Sequence, residues 1–459
     1  MITAILFAFV LGLVMYWPCL RGQIIYDDGP AIFAPDSLVA QGKIRGQIDW
    51  TDATSFIRCL TRIGWTLAMM LPPQYRIEAL HLGNVVLHCV NAALTIPIAA
   101  ELGANPVAVM FVYLVHPLAV SAVASMSARA AVQAECFKLL GLWCALWVHP
   151  LAALPFFACA LLSKEDALGP LALIALIHPK WRNYIKGAGN VQMARAGQPV
   201  ALPWRDHIPT AFVETLWRWC LWIFGIGLST DHHYTKRRVG GLFALTLGLL
   251  CIGGFAAFHY GLIGRAALLL FWVSAFPLYW FVPTHTIVVE ARAYGTLLPL
   301  ALIFGLLPFV VLIPLMLIGA VYSAIRASHW CTEIGYWQHA KGEPIRMAIC
   351  LGAALQNVGR LEEAEAQHRK ALMMDPNCGL AWCNLALIEE AKAKHMYLEA
   401  CQRLEQTGQR AEEYRQFSDY MVQACRLVEK AIQSNPKDPV LQMYYGNITG
   451  AARHFRVIR

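Results

Sequence analysis

Charged residues are scarce in this sequence: only 14% of its 459 residues are Asp, Glu, Lys or Arg, whereas 58% are hydrophobic. A soluble globular chain carries about 25% charged and about 45–50% apolar residues. The shortage of charge is confined to residues 1–325, because segment 326–459 is polar and rich in charge. This composition argues against a single soluble domain. It predicts a membrane domain over 1–325 and a soluble domain over 326–459.

Signals of several other protein classes are missing as well. No face or tail concentrates the formal net charge of +8, so we expect no nucleic-acid partner and take anionic membrane lipids, or a phosphorylated lipid substrate, as the partners. The 14 cysteines form no CxxC pair and no zinc-site spacing, so we expect no metal and no disulfide framework. Segment 1–18 has no basic start and no cleavage motif, which predicts a retained first span.

Long apolar stretches dominate the first domain, and about 20 apolar residues are enough for a helix to cross the hydrocarbon core. We expect about 10–11 spans, because the last stretch contains Pro308 and Pro314 and can form one kinked helix or two short ones. The predicted fold is therefore all-α, with a polytopic helical bundle in the membrane. The stretches are 1–18, 77–100, 105–126, 131–148, 150–163, 166–179, 210–228, 241–262, 265–283 and 295–324.

Two basic loops conflict with the usual orientation rule. Loops 180–209 and 229–240 are both rich in Lys and Arg, which predicts a cytoplasmic position for each. They cannot both be cytoplasmic, since the single span 210–228 separates them. A basic loop on the opposite side is explained if it binds an anion.

The second domain contains a helix-turn-helix repeat of 34 residues. In 345–378, small residues recur at Gly352, Gly359, Ala364 and Ala371, and Pro376 ends the second helix. A second repeat starts near 382, and a more degenerate copy ends at 436. This spacing predicts a soluble tetratricopeptide-repeat α-solenoid, a fold that binds many kinds of partner.

Adjacent carboxylates follow the first span at Asp27 and Asp28. They can form an ordinary solvated loop or cap a helix that begins near residue 30. They can also supply a general base that deprotonates an acceptor hydroxyl.

Four polar residues share one face of the span 77–100, namely His81, Asn84, His88 and Asn91. We expect interhelical hydrogen bonds for His88 and Asn91, and we leave the role of His81 open.

Three cations lie at span ends: Arg129, Lys164 and Arg292. Each can be an interfacial residue whose charged end reaches water. If they converge on the face of the two aspartates, they form an anion site instead, for which the arginine fork is well suited.

The order of these motifs resembles a known family. The sequence contains YDD at 26–28, HLxNVxLHxxN at 81–91, His116-Pro117 followed by Arg129, SKE at 163–165, LSTDHH at 228–233, ExRxY at 290–294 and then the repeats. It is similar over nearly its whole length to the transmembrane and tetratricopeptide-repeat glycosyltransferases. These form a GT-C branch related to protein O-mannosyltransferases.

The resemblance implies transfer of a sugar, with inversion, from a polyprenyl-phosphate donor on the non-cytoplasmic face. One aspartate of Tyr26-Asp27-Asp28 would be the catalytic base, and no metal or other cofactor is required. By the same resemblance, Arg129, Lys164 and Arg292 would neutralise the departing phosphate. The remaining implied site residues are His81, His116, Glu165 beside Lys164, Asp231 and His232 in the sugar-side loop, Glu290 and Tyr294.

One position departs from the family pattern. The family often has a glutamate five residues after the histidine of the His-Pro motif, whereas this chain has Ser121. The expected acceptor is a protein Ser/Thr hydroxyl presented by the repeats at the periplasmic face of a bacterial inner membrane. The alternatives are an envelope glycolipid or polymer as acceptor, or a non-enzymatic membrane scaffold.

Overall fold

The computed structural model describes residues 1–25, 28–35, 37–48, 58–164, 290–341, 344–407 and 412–455, with isolated positions between them. The described part is helical and contains no β-strand. The chain divides into two compact units, Met1–His339 and Ala340–Arg459. The boundary predicted at residue 325 falls inside a helix of the first unit.

The first unit is built from eleven α-helices among its described residues. They are α1 (Ile2–Leu20), α2 (Asp28–Ile32), α3 (Cys59–Met69), α4 (Pro73–Glu101), α5 (Pro106–Val115), α6 (Val120–Ala124), α7 (Arg129–Trp147), α8 (Leu154–Ser163), α9 (Leu297–Phe304), α10 (Phe309–His329) and α11 (Glu333–Gln338). Short 3₁₀ segments precede α6, α8 and α9 at Pro117–Ala119, Pro150–Ala153 and Glu290–Thr296.

Three of these helices, α1, α4 and α10, are long and apolar enough to cross a membrane. A fourth span results if α5 and α6 are counted together, although the pair is bent by 47°. Helix α7 covers the predicted span 131–148 but is not among these candidates, and 150–163 forms only a short apolar helix. The predicted stretches 166–179, 210–228, 241–262 and 265–283 lie outside the described residues, so the count of 10–11 stays a prediction.

The bend between α5 and α6 has a chemical cause and a partner that completes it. Pro117 lacks a backbone N–H and interrupts the helical hydrogen-bond ladder. Two side chains of α10 donate to carbonyls at this interruption: Ser323 Oγ donates to Val115 O at 2.8 Å, and Arg326 Nη1 donates to Pro117 O at 2.9 Å. Gly319 permits this approach, since a Cβ there would lie 3.2 Å from Val115 O.

The second unit consists of five helices: α12 (Pro344–Asn357), α13 (Leu361–Met374), α14 (Gly379–Thr407), α15 (Glu412–Ser434) and α16 (Pro439–His454). The first pair forms the predicted hairpin, with Gly359 in the left-handed region at φ 79° in its turn. Helix α14 differs from the predicted repeat, because it runs without a break for 29 residues.

The small residues of the first hairpin permit close helix packing, as the spacing predicted. Ala364 and Ala371 are fully buried on α13. A Cβ at Gly352 would lie 2.5 Å from Cε1 of His368, so only glycine fits against this ring. His368 itself is fully buried, and neither ring nitrogen makes a hydrogen bond.

The buried imidazole makes the first hairpin sensitive to acid. Burial lowers the pKa of His368 from 6.5 to about 4, so the unfolded chain binds a proton more readily than the folded one. Stability is therefore full above pH 6.5 and falls as the pH drops towards 4. At pH 5 we expect a loss of about 2 kcal/mol in the free energy of opening of α12 and α13.

Amide hydrogen exchange of the full chain, corrected for intrinsic rates, would measure this opening at pH 7 and pH 5. The variant His368→Leu should remove most of the pH dependence. The matched control His395→Gln changes an exposed histidine and should retain it. Equal protection of α12 and α13 at the two pH values in the unsubstituted chain would contradict the prediction.

Candidate functional site

The described residues include only part of the predicted site. Asp28, His81, His116, Arg129, Lys164 and Tyr294 have described side chains, whereas Tyr26, Asp27, Glu165, Asp231 and His232 lie outside the described residues. Glu290 and Arg292 belong to the 3₁₀ segment before α9, and only their backbone is described.

Asp28 is buried at the first residue of α2, and its carboxylate contacts the loop 125–128. Oδ1 accepts from the Ser127 N–H at 2.7 Å and from the Ser125 hydroxyl at 3.3 Å. Oδ2 accepts from the Ile25 N–H at 3.4 Å. Hydrogen bonds to a carboxylate are the stronger, charge-assisted kind, so Asp28 fixes this loop against the segment that follows α1.

The loop 125–128 is also held by the two neighbouring helices. The Asn84 side chain of α4 donates from Nδ2 to Ser125 O at 2.7 Å, and the Trp65 indole of α3 donates to Met126 O at 3.1 Å. The loop therefore has partners on three elements that are distant in sequence. Its fixed backbone determines where α7 begins, and Arg129 is the first residue of that helix.

Arg129 is a buried cation whose guanidinium is bound by protein oxygens. It donates to Asn84 Oδ1 at 3.0 Å, to Gly64 O at 3.0 Å and to Leu80 O at 3.2 Å. Gly83 provides the space, because a Cβ there would lie 1.9 Å from Nη2. The arginine thus joins α3, α4 and α7 and places a positive charge directly beyond the loop that Asp28 holds.

His81 lies one helical turn before Asn84 on the same face of α4. Only 1% of its surface is exposed, and neither ring nitrogen makes a hydrogen bond of normal geometry. A Cβ on Gly22 would lie 3.3 Å from its Nε2, which places the ring beside the segment between α1 and α2. This position places the His81 ring close to Arg129 and to the residues between α1 and α2.

Lys164 follows α8 directly and is half-buried. Helix α3 links it to Arg129: Thr61 Oγ1 donates to Ser163 O at 2.9 Å, while Gly64 O binds the arginine. Positions 61 and 64 lie on one helical face. Arg129 and Ser163, the residue before Lys164, therefore contact the same side of α3.

An ion pair in α7 was missed by the sequence reasoning. Glu135 and Lys138 are both buried, and Lys138 Nζ lies 2.5 Å from Glu135 Oε2. Lys164 contributes further positive charge near Glu135. The available signal was two opposite charges three residues apart inside an apolar stretch, a pattern that usually indicates a functional or paired site in a membrane.

Tyr294 lies in a buried polar network with the two residues predicted to bond between helices. His88 Nε2 is 3.0 Å from Leu114 O and must donate to it, so Nδ1 accepts from the Tyr294 hydroxyl at 2.7 Å. Asn91 Nδ2 donates to the same hydroxyl oxygen at 3.2 Å and to Val132 O at 2.9 Å. This network attaches the 3₁₀ segment of Glu290 and Arg292 to α4 and α7.

His116 has a local role at the bend after α5. Its Nδ1 accepts from the Leu118 N–H at 3.2 Å and caps the 3₁₀ turn that starts at Pro117. Arg326 binds the Pro117 carbonyl from α10. The spacing of the His-Pro motif contained no signal for this arginine, which the sequence reasoning used only as a domain boundary.

Among the side chains that the structure describes, no three His, Cys, Asp or Glu residues are grouped as ligands of one metal ion. A comparison with protein-family models finds no match, and comparisons with curated proteins and with solved structures find none either.

Proposed function

We propose that this chain is a membrane glycosyltransferase that moves a sugar from a polyprenyl-phosphate donor to a protein Ser/Thr hydroxyl. The observation that carries the proposal is the fixed loop 125–128. It is bound on one side by the buried carboxylate of Asp28 and leads on the other side into the buried guanidinium of Arg129. Inverting transfer from a lipid phosphate needs a base for the acceptor hydroxyl and positive charge for the phosphate; Asp28 is next in sequence to the proposed base, and Arg129 supplies positive charge.

The two aspartates have separate proposed roles. Both oxygens of the Asp28 carboxylate accept hydrogen bonds from the protein, so this residue acts as a positioning residue for the loop. Asp27 is then the proposed base, one residue before the fixed carboxylate. It removes the proton from the acceptor hydroxyl as that oxygen attacks the anomeric carbon.

The leaving phosphate takes the electron pair of the broken carbon–oxygen bond and requires positive charge nearby. Lys164 and Arg292 are the proposed phosphate ligands. Arg129, whose guanidinium is bound by Asn84 and two carbonyls, supplies positive charge and holds the ends of α3, α4 and α7 together. Attack opposite the leaving phosphate inverts the anomeric centre, and no metal is needed for this step.

The second unit is the proposed acceptor-binding domain. Its first hairpin, α12 and α13, has the length and glycine turn of a tetratricopeptide repeat, a class of fold that binds extended protein segments. The proposed location is a bacterial inner membrane, with the transfer site at the periplasmic face.

Intact-mass analysis of secreted and surface proteins would test the proposal. Cells that make the unsubstituted chain are compared with cells that make Asp27→Asn/Asp28→Asn at equal membrane abundance. We expect a protein whose mass is larger by one sugar only with the unsubstituted chain. If the protein masses are identical, the envelope lipids of the same cells are compared. A lipid species missing only in cells with the double variant would indicate a glycolipid acceptor, whereas identical lipids would reject transferase activity.

A further inference from the structure

Two cysteine thiols lie together where the ends of α1 and α10 meet. Cys19 is buried in the last turn of α1, and Cys331 is half-buried two residues after the end of α10. Both thiols donate to one acceptor, the carbonyl oxygen of Ala327, at 3.1 Å and 3.5 Å respectively. The two sulfur atoms therefore cannot be farther apart than the sum of these distances.

The backbone around the two cysteines is also joined. The Gln23 N–H donates to Cys331 O at 2.8 Å, and a Cβ on Gly22 would lie 3.6 Å from the Cα of Cys331. This proximity does not depend on side-chain rotation. It meets the main requirement for a disulfide, which is that the two backbones lie close before the bond forms.

We propose that Cys19 and Cys331 form a thiol–disulfide pair that reversibly links the end of the first membrane-spanning helix to the end of the last described one. This function is independent of sugar transfer. It also differs from a structural disulfide framework, because the bond forms in the folded chain between two thiols that share one hydrogen-bond acceptor.

The chemistry proceeds by exchange with an external disulfide. The Cys331 thiolate attacks one sulfur of that disulfide, and the other sulfur leaves as a thiolate. The Cys19 thiolate then attacks Cys331 in the mixed disulfide, which releases the second external thiolate. Two protein thiols are oxidised and one external disulfide is reduced, and the two protons lost by the protein thiols are taken up by the two released external thiolates.

The environments of the two sulfurs indicate that Cys331 attacks first and Cys19 second. Cys331 is the more exposed thiol, and its side-chain interaction with Cys19 lowers the pKa of Cys331 below its usual value. A lowered thiol pKa raises the thiolate fraction, and the thiolate is the attacking form. Buried Cys19 is accessible only from within the protein, as a resolving thiol is.

The bond would restrict the segment that leads to the proposed transfer site. Residues 21–25 connect Cys19 to Asp28, and they already contact the region after α10 through Gln23 and Cys331. Glu333 N–H donates to Gln23 Oε1 at 3.4 Å in the same region. Oxidation would therefore make hydrogen exchange of residues 21–25 slower, whereas exchange in α12 and α13 would stay unchanged.

Peptide mapping of the full chain in lipid nanodiscs tests the proposal. The protein is incubated with excess oxidised or reduced glutathione, quenched with acid, alkylated and digested without reductant. We expect a peptide pair linked through Cys19 and Cys331 after oxidised glutathione only, with more than a tenfold gain over the reduced sample. The variant Cys19→Ser should accumulate glutathione on Cys331, whereas Cys350→Ser, a half-buried cysteine of the other unit, should leave the linked pair unchanged.

Two outcomes would overturn the proposal. One is a Cys331 that stays fully alkylatable after oxidised glutathione. The other is a stable glutathione adduct on Cys331 in the unsubstituted chain, which would mean that Cys19 cannot resolve it. Neither outcome depends on whether the chain transfers sugar.

Discussion

Asp27→Asn is expected to reduce sugar transfer by about 10²–10⁴-fold while leaving the stability of the protein unchanged. This is the range that a positioned general base contributes, and an amide cannot accept the proton of the acceptor hydroxyl. The measurement is the rate of transfer to an acceptor protein in nanodiscs, together with the midpoint of thermal unfolding.

Asp28→Asn separates the base from the positioning residue. Loss of the carboxylate charge weakens the charge-assisted hydrogen bonds from Ser127 and Ser125, each worth about 1.5–3 kcal/mol. We expect reduced transfer together with faster hydrogen exchange in the loop 125–128, an effect that Asp27→Asn should not produce. If both variants retain full sugar transfer, and Asp28→Asn also retains full hydrogen-exchange protection of the loop 125–128, the assignment of both aspartates is wrong.

Arg129→Lys is expected to destabilise the first unit, although it retains the charge. The donors of a lysine ammonium are all on one nitrogen. It therefore cannot reach Asn84, Gly64 and Leu80 together, as the three nitrogens of the planar guanidinium do. Each buried acceptor left unsatisfied costs about 1–3 kcal/mol. A lower midpoint of thermal unfolding in nanodiscs would report the loss.

Two further variants serve as a control and as an independent test: Arg76→Lys and Gly83→Ala. Arg76→Lys removes one exposed hydrogen bond to Leu71 and should leave the midpoint within error. Gly83→Ala keeps the arginine but fills the space beside its Nη2, so it should produce a loss similar to that of Arg129→Lys. An unchanged midpoint in both Arg129→Lys and Gly83→Ala would show that the guanidinium contributes nothing to stability.

The sequence predicted those parts of the structure in which spacing has a direct geometric meaning. The polar face of α4 was predicted from spacing, and His88 and Asn91 make the interhelical hydrogen bonds expected of them. The hairpin of α12 and α13 followed from small residues and a terminating proline in the same way. In both cases the spacing within one segment identifies which residues face a neighbouring helix, although for α4 it does not identify their partners.

Contacts between distant segments were not predictable in this way. Two partners of Asp28, Ser125 and Ser127, lie 97 and 99 residues away, and no local sequence pattern identifies them as its partners. Arg129 was predicted as a phosphate ligand, but nothing in its neighbourhood revealed that Gly64 and Leu80 carbonyls bind it. Glu135 and Lys138 were missed because an average over an apolar stretch hides a pair whose charges offset each other.

The second domain shows a limit of a different kind. The repeat period predicted a turn within the segment that forms α14, yet this helix continues for 29 residues. Good helix-forming residues such as Glu389, Glu390, Lys392 and Lys394 occupy its middle, and ion pairs at i,i+3 and i,i+4 join them. Local helix preference there outweighs the turn that the period alone suggested.

The bend after α5 has a consequence for the order in which the chain assembles during synthesis. The carbonyls of Val115 and Pro117 receive their donors from residues 208 and 209 positions later. At about 5–20 residues per second, those donors are synthesised on the order of 10–40 s after the bend. Until then the polar backbone at the bend must be covered by water, lipid headgroups or the insertion machinery. Completion of the first unit is therefore linked to the arrival of α10, and a chain truncated before that helix cannot close around its own broken span.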